Sequence, residues 1–277
     1  MKGNFDTKAA SSIVLWLDNK ICKDGEGYVQ KDVIFYKQPD AARAPLIAYA
    51  SPYKQWVYDS CVAPIISGVY TQSGAIDRSN GIFFDFNNGR VLSSGDLGAR
   101  LTGTILKKEY NVYFTTDDQA NLFIERNYQE NKNISYQSTG IEPYVFSAPC
   151  VFVTPSFGNN DPWALGGIDK SNRTYRIYVV SHNNHNQEAL NGLILDSAHK
   201  MLPLIDDVDS PFNFYGDLKS GYYNYCDLRS KYNCASGLYI NNVYSYKVDS
   251  RANKSNTLLL SFFELQTEII RVNGNST

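Results

Sequence analysis

The chain of 277 residues has no run of five or more basic residues, and its formal net charge is −2. That balance disfavours a nucleic-acid partner, whose phosphates call for a basic stripe, and it disfavours a polybasic membrane anchor. Long apolar runs are missing as well. The stretch from Ile13 to Leu17 is too short for a secretion signal or a membrane span, and Met1 to Thr7 does not read as a signal peptide. The sequons Asn133-Ile-Ser135 and Asn172-Arg-Thr174 are accordingly expected to be chance matches. Short catalytic signatures are absent: there is no Gly-x-Ser-x-Gly elbow, no Walker loop, no dinucleotide fingerprint and no His-Glu-x-x-His pair. The five cysteines include no Cys-x-x-Cys pair, so a zinc site is not expected. A free-thiol protein is expected instead, with Cys226 and Cys234 close enough in sequence to meet.

What the sequence does have is hydrophobic content of 43%, enough for a sizeable core, together with 21 Tyr and 14 Phe. Aromatic residues favour strands, and Tyr also suits contact surfaces. The richness fits a β-rich protein from an AT-rich genome equally well. Ala10, Ile13, Val14, Leu17 and Ile21 recur at helical spacing and predict a helix over 7–22, capped by Asp6 or Thr7 and ended by Gly25 and Gly27. Its apolar stripe is expected to pack on the protein's own sheet. Residues 28–60 read as mixed and irregular, with breakers at Gln38-Pro39-Asp40 and Ala44-Pro45. The clearest β region is 62–115. There Ile82 to Phe86 and Arg90 to Leu92 flank Asn87-Asn88-Gly89, a signature of a hairpin closed by a type I′ turn. Residues 128–142 are polar and read as a linker between an N-terminal region, 1–127, and an α+β region, 143–277.

In the second region, 174–181 reads as a strand with Tyr175, Ile177 and Val179 on one face. A helix is expected from about Asn186, with Leu190, Leu193, Ile194, Ser197, Met201 and Leu202 as its stripe and Pro203 as its stop. Gly192 within it either answers a packing need or weakens the helix. Thr257 to Ile270 reads as a long closing strand, and Asn159-Asn160-Asp161-Pro162 as a loop. The expected fold class is α+β and β-rich, with hairpin-rich antiparallel sheets, an N-terminal helix and one helix packed on a C-terminal sheet.

Candidate chemistry is sparse. His182 and His185, with Glu188, could share a helical face and bind a metal, but the segment reads better as a solvated loop. Asp206, Asp207 and Asp209 lack the Gly and closing Glu of a calcium loop and read as a turn. Cys150, in an apolar run, reads as a buried inert thiol. No catalytic residue, metal or cofactor is expected. A carboxylate-pair hydrolase without a short motif is the enzymatic alternative.

The stretches Gly68 to Gly74, Gly81 to Val91, Leu101 to Thr104 and Lys108 to Tyr113 resemble virion structural proteins of tailed phages, in which an Asp-Phe/Tyr-x-Asn-Gly-Arg-Val hairpin recurs. The order strand, helix, β excursion and closing strand in the second half is similar to that of tail-terminator and tail-completion subunits. The resemblance implies a non-enzymatic subunit of the head–tail neck or tail, assembled in the host cytoplasm. It would contact copies of itself in a ring, a hexamer being the form in that family, and neighbouring neck or tail proteins, without sequence-specific nucleic-acid binding and without a membrane. Candidate subunit-contact residues are Asp85, Asn88 and Arg90 at the hairpin and Tyr222, Tyr223 and Tyr225 in the Tyr-rich segment. The alternative is a carbohydrate- or receptor-binding module of a tail fibre or baseplate, in which exposed aromatic rings stack on sugars. Of its three tryptophans, Trp16 is expected to be buried, leaving Trp56 and Trp163.

Overall fold

The computed structural model describes residues 5–38, 45–63, 69–71, 74–75, 81–125, 129–130, 147–164, 168–212, 219, 223–232, 237–248 and 258–272. The predicted N-terminal helix is present as α1, Phe5–Lys23, starting before Asp6 and Thr7. Neither residue is therefore its cap; Asp6 lies in the first turn and pairs with Arg173 at 2.6 Å. Its end follows the predicted glycines: the Gly25 N–H donates to the Lys20 carbonyl and the Gly27 N–H to that of Ile21. The helix buries more than one stripe. Ala9, Ile13, Val14, Leu17 and Ile21 are buried, and so are Ser12, Asp18 and Lys20 on the polar side. A helix covered on nearly every face is a central element rather than a surface one.

Seven antiparallel strands make the first sheet: β1 (Tyr28–Lys37), β2 (Ile47–Ala50), β3 (Val69–Thr71), β4 (Gly74–Ala75), β5 (Ile82–Asp85), β6 (Arg90–Ser93) and β7 (Arg100–Lys108). Their order is β4-β3-β7-β1-β2-β6-β5. The expectation that 28–60 is irregular fails at β1, which pairs with β7 over nine residues from Tyr28↔Lys108 to Tyr36↔Arg100. Most of this strand faces solvent, with Gln30, Lys31 and Asp32 exposed and only Val33 and Phe35 buried, so its composition imitates a loop. Residues 39–44 lie outside the described residues. The predicted hairpin is present as β5–β6, but Asp85↔Arg90 closes it around four residues rather than two. Within that loop Gly89 alone has positive φ, at 65°. A Cβ there would meet the Tyr53 carbonyl oxygen at 1.9 Å, so the position needs glycine for close approach as well as for conformation.

Past β8 (Asn111–Phe114) and the short parallel pair β9 (Gln129–Glu130) and β10 (Ser147–Ala148) comes the second sheet. It contains β11 (Cys150–Ala164), β12 (Ile168–Ser181), β13 (Met201–Leu202), β14 (Leu238–Lys247) and β15 (Leu259–Val272), in the order β13-β14-β15-β12-β11-β8. Only β11–β8 is parallel; the other pairs are antiparallel. The predicted face of β12, Tyr175, Ile177 and Val179, is buried in the main core. Tyr178 and Val180 are buried on its other face, under Leu122 and Phe123. The helix α2 (Asn184–Leu195) packs on β12 and β14, and a third helix, α3 (Tyr225–Lys231), lies in the Tyr-rich segment. The chain is thus a β-rich α+β fold.

Two further expectations are corrected. First, α2 stops at Asp196, well before Pro203, and Met201–Leu202 is the edge strand β13. The reversal runs through His199, whose φ is 62°. No atom lies within 4 Å of where a Gly192 Cβ would be, so this glycine answers no packing need and costs the helix about 1 kcal/mol against Ala. Second, Asn159 to Pro162 is part of β11, held by register with Asp169 to Asn172. Of the proposed linker 128–142, only 129–130 are described. The core does not divide there: β8 belongs to the second sheet, and one apolar cluster joins α1, the inner face of the first sheet and the inner face of the second.

Asp96, in the loop after β6, ties that loop to β1 and β2. It accepts from Lys37 Nζ at 2.6 Å, from the Gly98 N–H at 3.0 Å and from Tyr49 OH at 3.0 Å. These bonds, that from Lys37 foremost, hold its carboxyl down at about 2. A depressed folded value means stability that is present above the unfolded value and lost as pH falls through the folded one. Asp96→Asn is expected to remove part of the acid-induced stability loss between about pH 4 and pH 2, read by denaturant midpoints across that range. Parallel midpoint curves for variant and wild type would sink the assignment.

Candidate functional site

The sequence-predicted contact residues do not form one surface. Asp85 and Asn88 sit half-buried at the hairpin loop, where the Asp85 carboxylate accepts from the Asn88 backbone N–H at 3.1 Å and from its Nδ2. Arg90, Tyr223 and Tyr225 are 3%, 7% and 3% exposed, so these three are interior residues rather than presented contacts. Arg90 lies on β6 between β2 and β5. The Tyr223 backbone is bonded to Tyr58 and Ser60, and its ring packs 5.4 Å from that of Tyr58. Tyr222 lies outside the described residues.

The two tyrosines belong to a buried polar node that periodicity did not reveal. Asp18, in the middle of α1, meets Lys108, the last residue of β7, at 2.6 Å, with side chains 2% and 0% exposed. The Lys108 ammonium stands 3.6 Å from the Tyr58 ring centroid, and Tyr223 OH donates to the second Asp18 oxygen at 3.4 Å. Burial alone would lower the Lys108 ammonium; the Asp18 carboxylate outweighs it and holds Lys108 above its ordinary value. Asp59 extends the node, accepting from the backbone N–H groups of Cys61 and Tyr225 and from Asn19 Nδ2. Nearby, buried Gln55 bonds both the N–H and the carbonyl of Val112, which ties the 51–60 segment to the second sheet. With an ion pair this enclosed, the node positions α1, β7 and the start of α3 and has no opening for a substrate.

Cys226 bonds to Cys61, not to Cys234, with the Cα atoms 5.6 Å apart; Cys234 lies outside the described residues. Cys22 and Cys150 are free and buried, and Cys150 matches the expected inert thiol. The disulfide borders a cleft of about 490 Å3 between α1, α3 and the Lys200–Pro203 segment. Its charged walls are Lys20, Lys23, Lys200 and Arg229 against Asp24, and its apolar wall includes Trp16, Met201 and Leu202.

The outer half of the second sheet extends past the core. Phe157, Trp163 and Ile270 are 64%, 56% and 53% exposed, large for apolar side chains. Register pairs Phe157 with Thr174, and both Asp161 and Ile270 with Lys170. Thr174 and Lys170 are four apart on one strand, so these residues share one face. Trp163 joins it, its ring lying 5.6 Å from Lys170 Nζ. Further along the sheet are exposed Tyr244 and Tyr246, the latter stacked on Phe262 at 4.7 Å. Two ion pairs lie on this face, Lys170 with Glu268 at 2.5 Å and Arg176 with Glu264 at 3.0 Å, while the Asp161 carboxylate accepts from the side-chain amides of Asn159 and Asn172.

The carboxylates expected to form a turn do so. Asp206 pairs with Lys8, and Asp209 takes Lys231 and Tyr232. His185 opens α2, its N–H donating to the Asn183 side chain that caps the helix. Among the described residues no group of three His, Cys, Asp or Glu is placed to hold a metal ion, and no helix is long and apolar enough to cross a membrane. In comparisons with known proteins, the chain matches no protein-family model and no curated protein.

Proposed function

We propose that this chain is a non-enzymatic structural subunit that assembles with copies of itself through the outer face of the second sheet, as a neck or tail component of a tailed-phage virion. The observation that carries the assembly reading is the row of exposed Phe157, Trp163 and Ile270 on one rigid sheet face. Large aromatic side chains on a preformed face are what interfaces concentrate at their centres. Lys170 and Arg176 on this face are already paired with Glu268 and Glu264, so these four side chains would present little net charge to a second copy. The virion setting rests on the hairpin pattern around Asp85 to Val91. A carbohydrate-binding role is the second reading, favoured by Trp163 lying open beside Lys170, where a sugar ring could stack.

Light scattering over a concentration series tests the proposal. The wild type is expected to grow beyond 31.2 kDa, and the double variant Phe157→Asp, Trp163→Asp to stay at that mass. Both positions are exposed, so the variant is expected to fold. A wild type that remains at 31.2 kDa at every concentration overturns self-assembly. Glycan binding by that monomer, lost on Trp163→Ala, would establish the second reading.

A further inference from the structure

The cleft beside the disulfide has a charge pattern that the fold does not require. Lys20 and Lys23 lie in the last turn of α1, where cations complement the helix dipole, and Lys20 is paired with Asp24 at 3.2 Å. Of the four cations only Lys20 is thereby paired with a carboxylate; Lys23 has the helix dipole alone. Lys200 and Arg229 come from other elements, the segment before β13 and the last turn of the short helix α3, and both are exposed; Arg229, like Lys23, has a helix C-terminus beside it. Among the described residues, no carboxylate lies within ion-pair distance of Lys23, Lys200 or Arg229. Lys23 Nζ instead approaches the two disulfide sulfurs at 3.3 and 3.5 Å. Three cations outside these ion pairs thus converge on one concavity in a chain whose net charge is −2. Like charges that line one concavity repel, and an anion bound among them would relieve that repulsion.

From this convergence we infer that the cleft binds a polyphosphate-bearing small molecule. Its volume, about 490 Å3, falls in the range of small-ligand pockets, roughly 300–1,000 Å3. Arg229 can fork onto two phosphate oxygens while Lys23 and Lys200 act as point charges on the others. Trp16, Met201 and Leu202 offer an apolar wall to whatever body carries the phosphates. The disulfide holds Cys226, and with it Arg229 one helical turn on, against the 59–63 segment, so the cation from α3 is presented in a fixed position. This site is separate from the sheet face and stands whether or not that face mediates assembly.

Isothermal titration of the full chain with ATP and with inorganic tripolyphosphate, without magnesium and at fixed low salt, tests the inference. One equivalent is expected to bind, more weakly as salt is raised. Lys200→Glu and Arg229→Glu should each weaken binding about tenfold, the loss of one charge-assisted contact, and the double variant should abolish it. Lys247→Glu, at the end of β14 in an exposed pair with Glu188 and outside the cleft lining, should leave affinity unchanged. Absence of binding to the wild type for both probes, or equal binding by the double variant, overturns the site. Because Lys200 and Arg229 are exposed, circular dichroism of the variants is expected to match the wild type, which separates loss of the site from loss of the fold.

Discussion

Asp18→Asn is expected to destabilise the protein by about 3–5 kcal/mol, the cost of removing one partner from a fully buried ion pair. The amide keeps the shape of the carboxyl but offers the Lys108 ammonium, at 0% exposure and beside the Tyr58 ring, a neutral oxygen in place of the compensating charge. The deficit should depend on pH in a defined direction. In the unfolded chain a lysine titrates near about 10.4, and without its carboxylate partner burial lowers the folded value. Loss of the proton then favours the folded variant, so its deficit relative to wild type narrows as pH rises toward about 10. A second variant separates burial from pairing. Asp18→Asn with Lys108→Met removes both charges and should cost clearly less than the sum of the two single changes, because apolar replacement of a buried pair is often nearly neutral. Urea midpoints for the four proteins give the coupling directly. Strict additivity would mean that the two side chains do not interact as described.

Removing the Cys61–Cys226 bond should have the next largest effect. The bond closes 165 residues and fastens the first turn of α3 to the segment leading out of Asp59. Cross-links of this kind contribute roughly 2–4 kcal/mol, chiefly by limiting the unfolded chain. Cys61→Ser with Cys226→Ser is expected to lose that amount, and reductant should lower the wild type to the same level while leaving the double variant unaffected. The unfolded, unreduced wild type should show two fewer reactive thiols than the reduced chain, Cys61 and Cys226 being joined. Five thiols, or a wild type indifferent to reductant, would remove the bond from the account. The two predictions concern adjacent elements, since Asp59 accepts from both the Cys61 and the Tyr225 backbone N–H groups. The disulfide and the ion pair therefore fix the same junction from opposite sides.

Local pattern carried the elements whose signal is a short-range repeat. Helix α1 was legible because five apolar residues recur at helical spacing, and β15 because Leu259, Phe263, Leu265 and Ile269 alternate. The hairpin at Asn87-Asn88-Gly89 was legible through Gly89, although Asp85 and Asn88 build a longer loop by bonding each other. Strand β1 was hidden because most of its side chains face water, and the outer part of β11 because Asn159, Asn160, Asp161 and Pro162 have loop composition. In both, continuous pairing with a long neighbouring strand outweighs intrinsic preference.

By itself the sequence determined the α+β class, the presence of the N-terminal helix, the β5–β6 hairpin and the lack of a short catalytic signature, because these depend on residues a few positions apart. Only the tertiary structure decided that Asp18 would meet Lys108, that Cys226 would pick Cys61 over its neighbour Cys234, and that Tyr223 and Tyr225 would turn inward. It also decided that Lys23, Lys200 and Arg229 would share one cleft and that Phe157, Trp163 and Ile270 would share one face. Each of these is a meeting of residues far apart in the chain. Charge and sulfur chemistry specify that such side chains need a partner; which one they reach is set by how the sheets and α1 pack, and no local repeat encodes that packing.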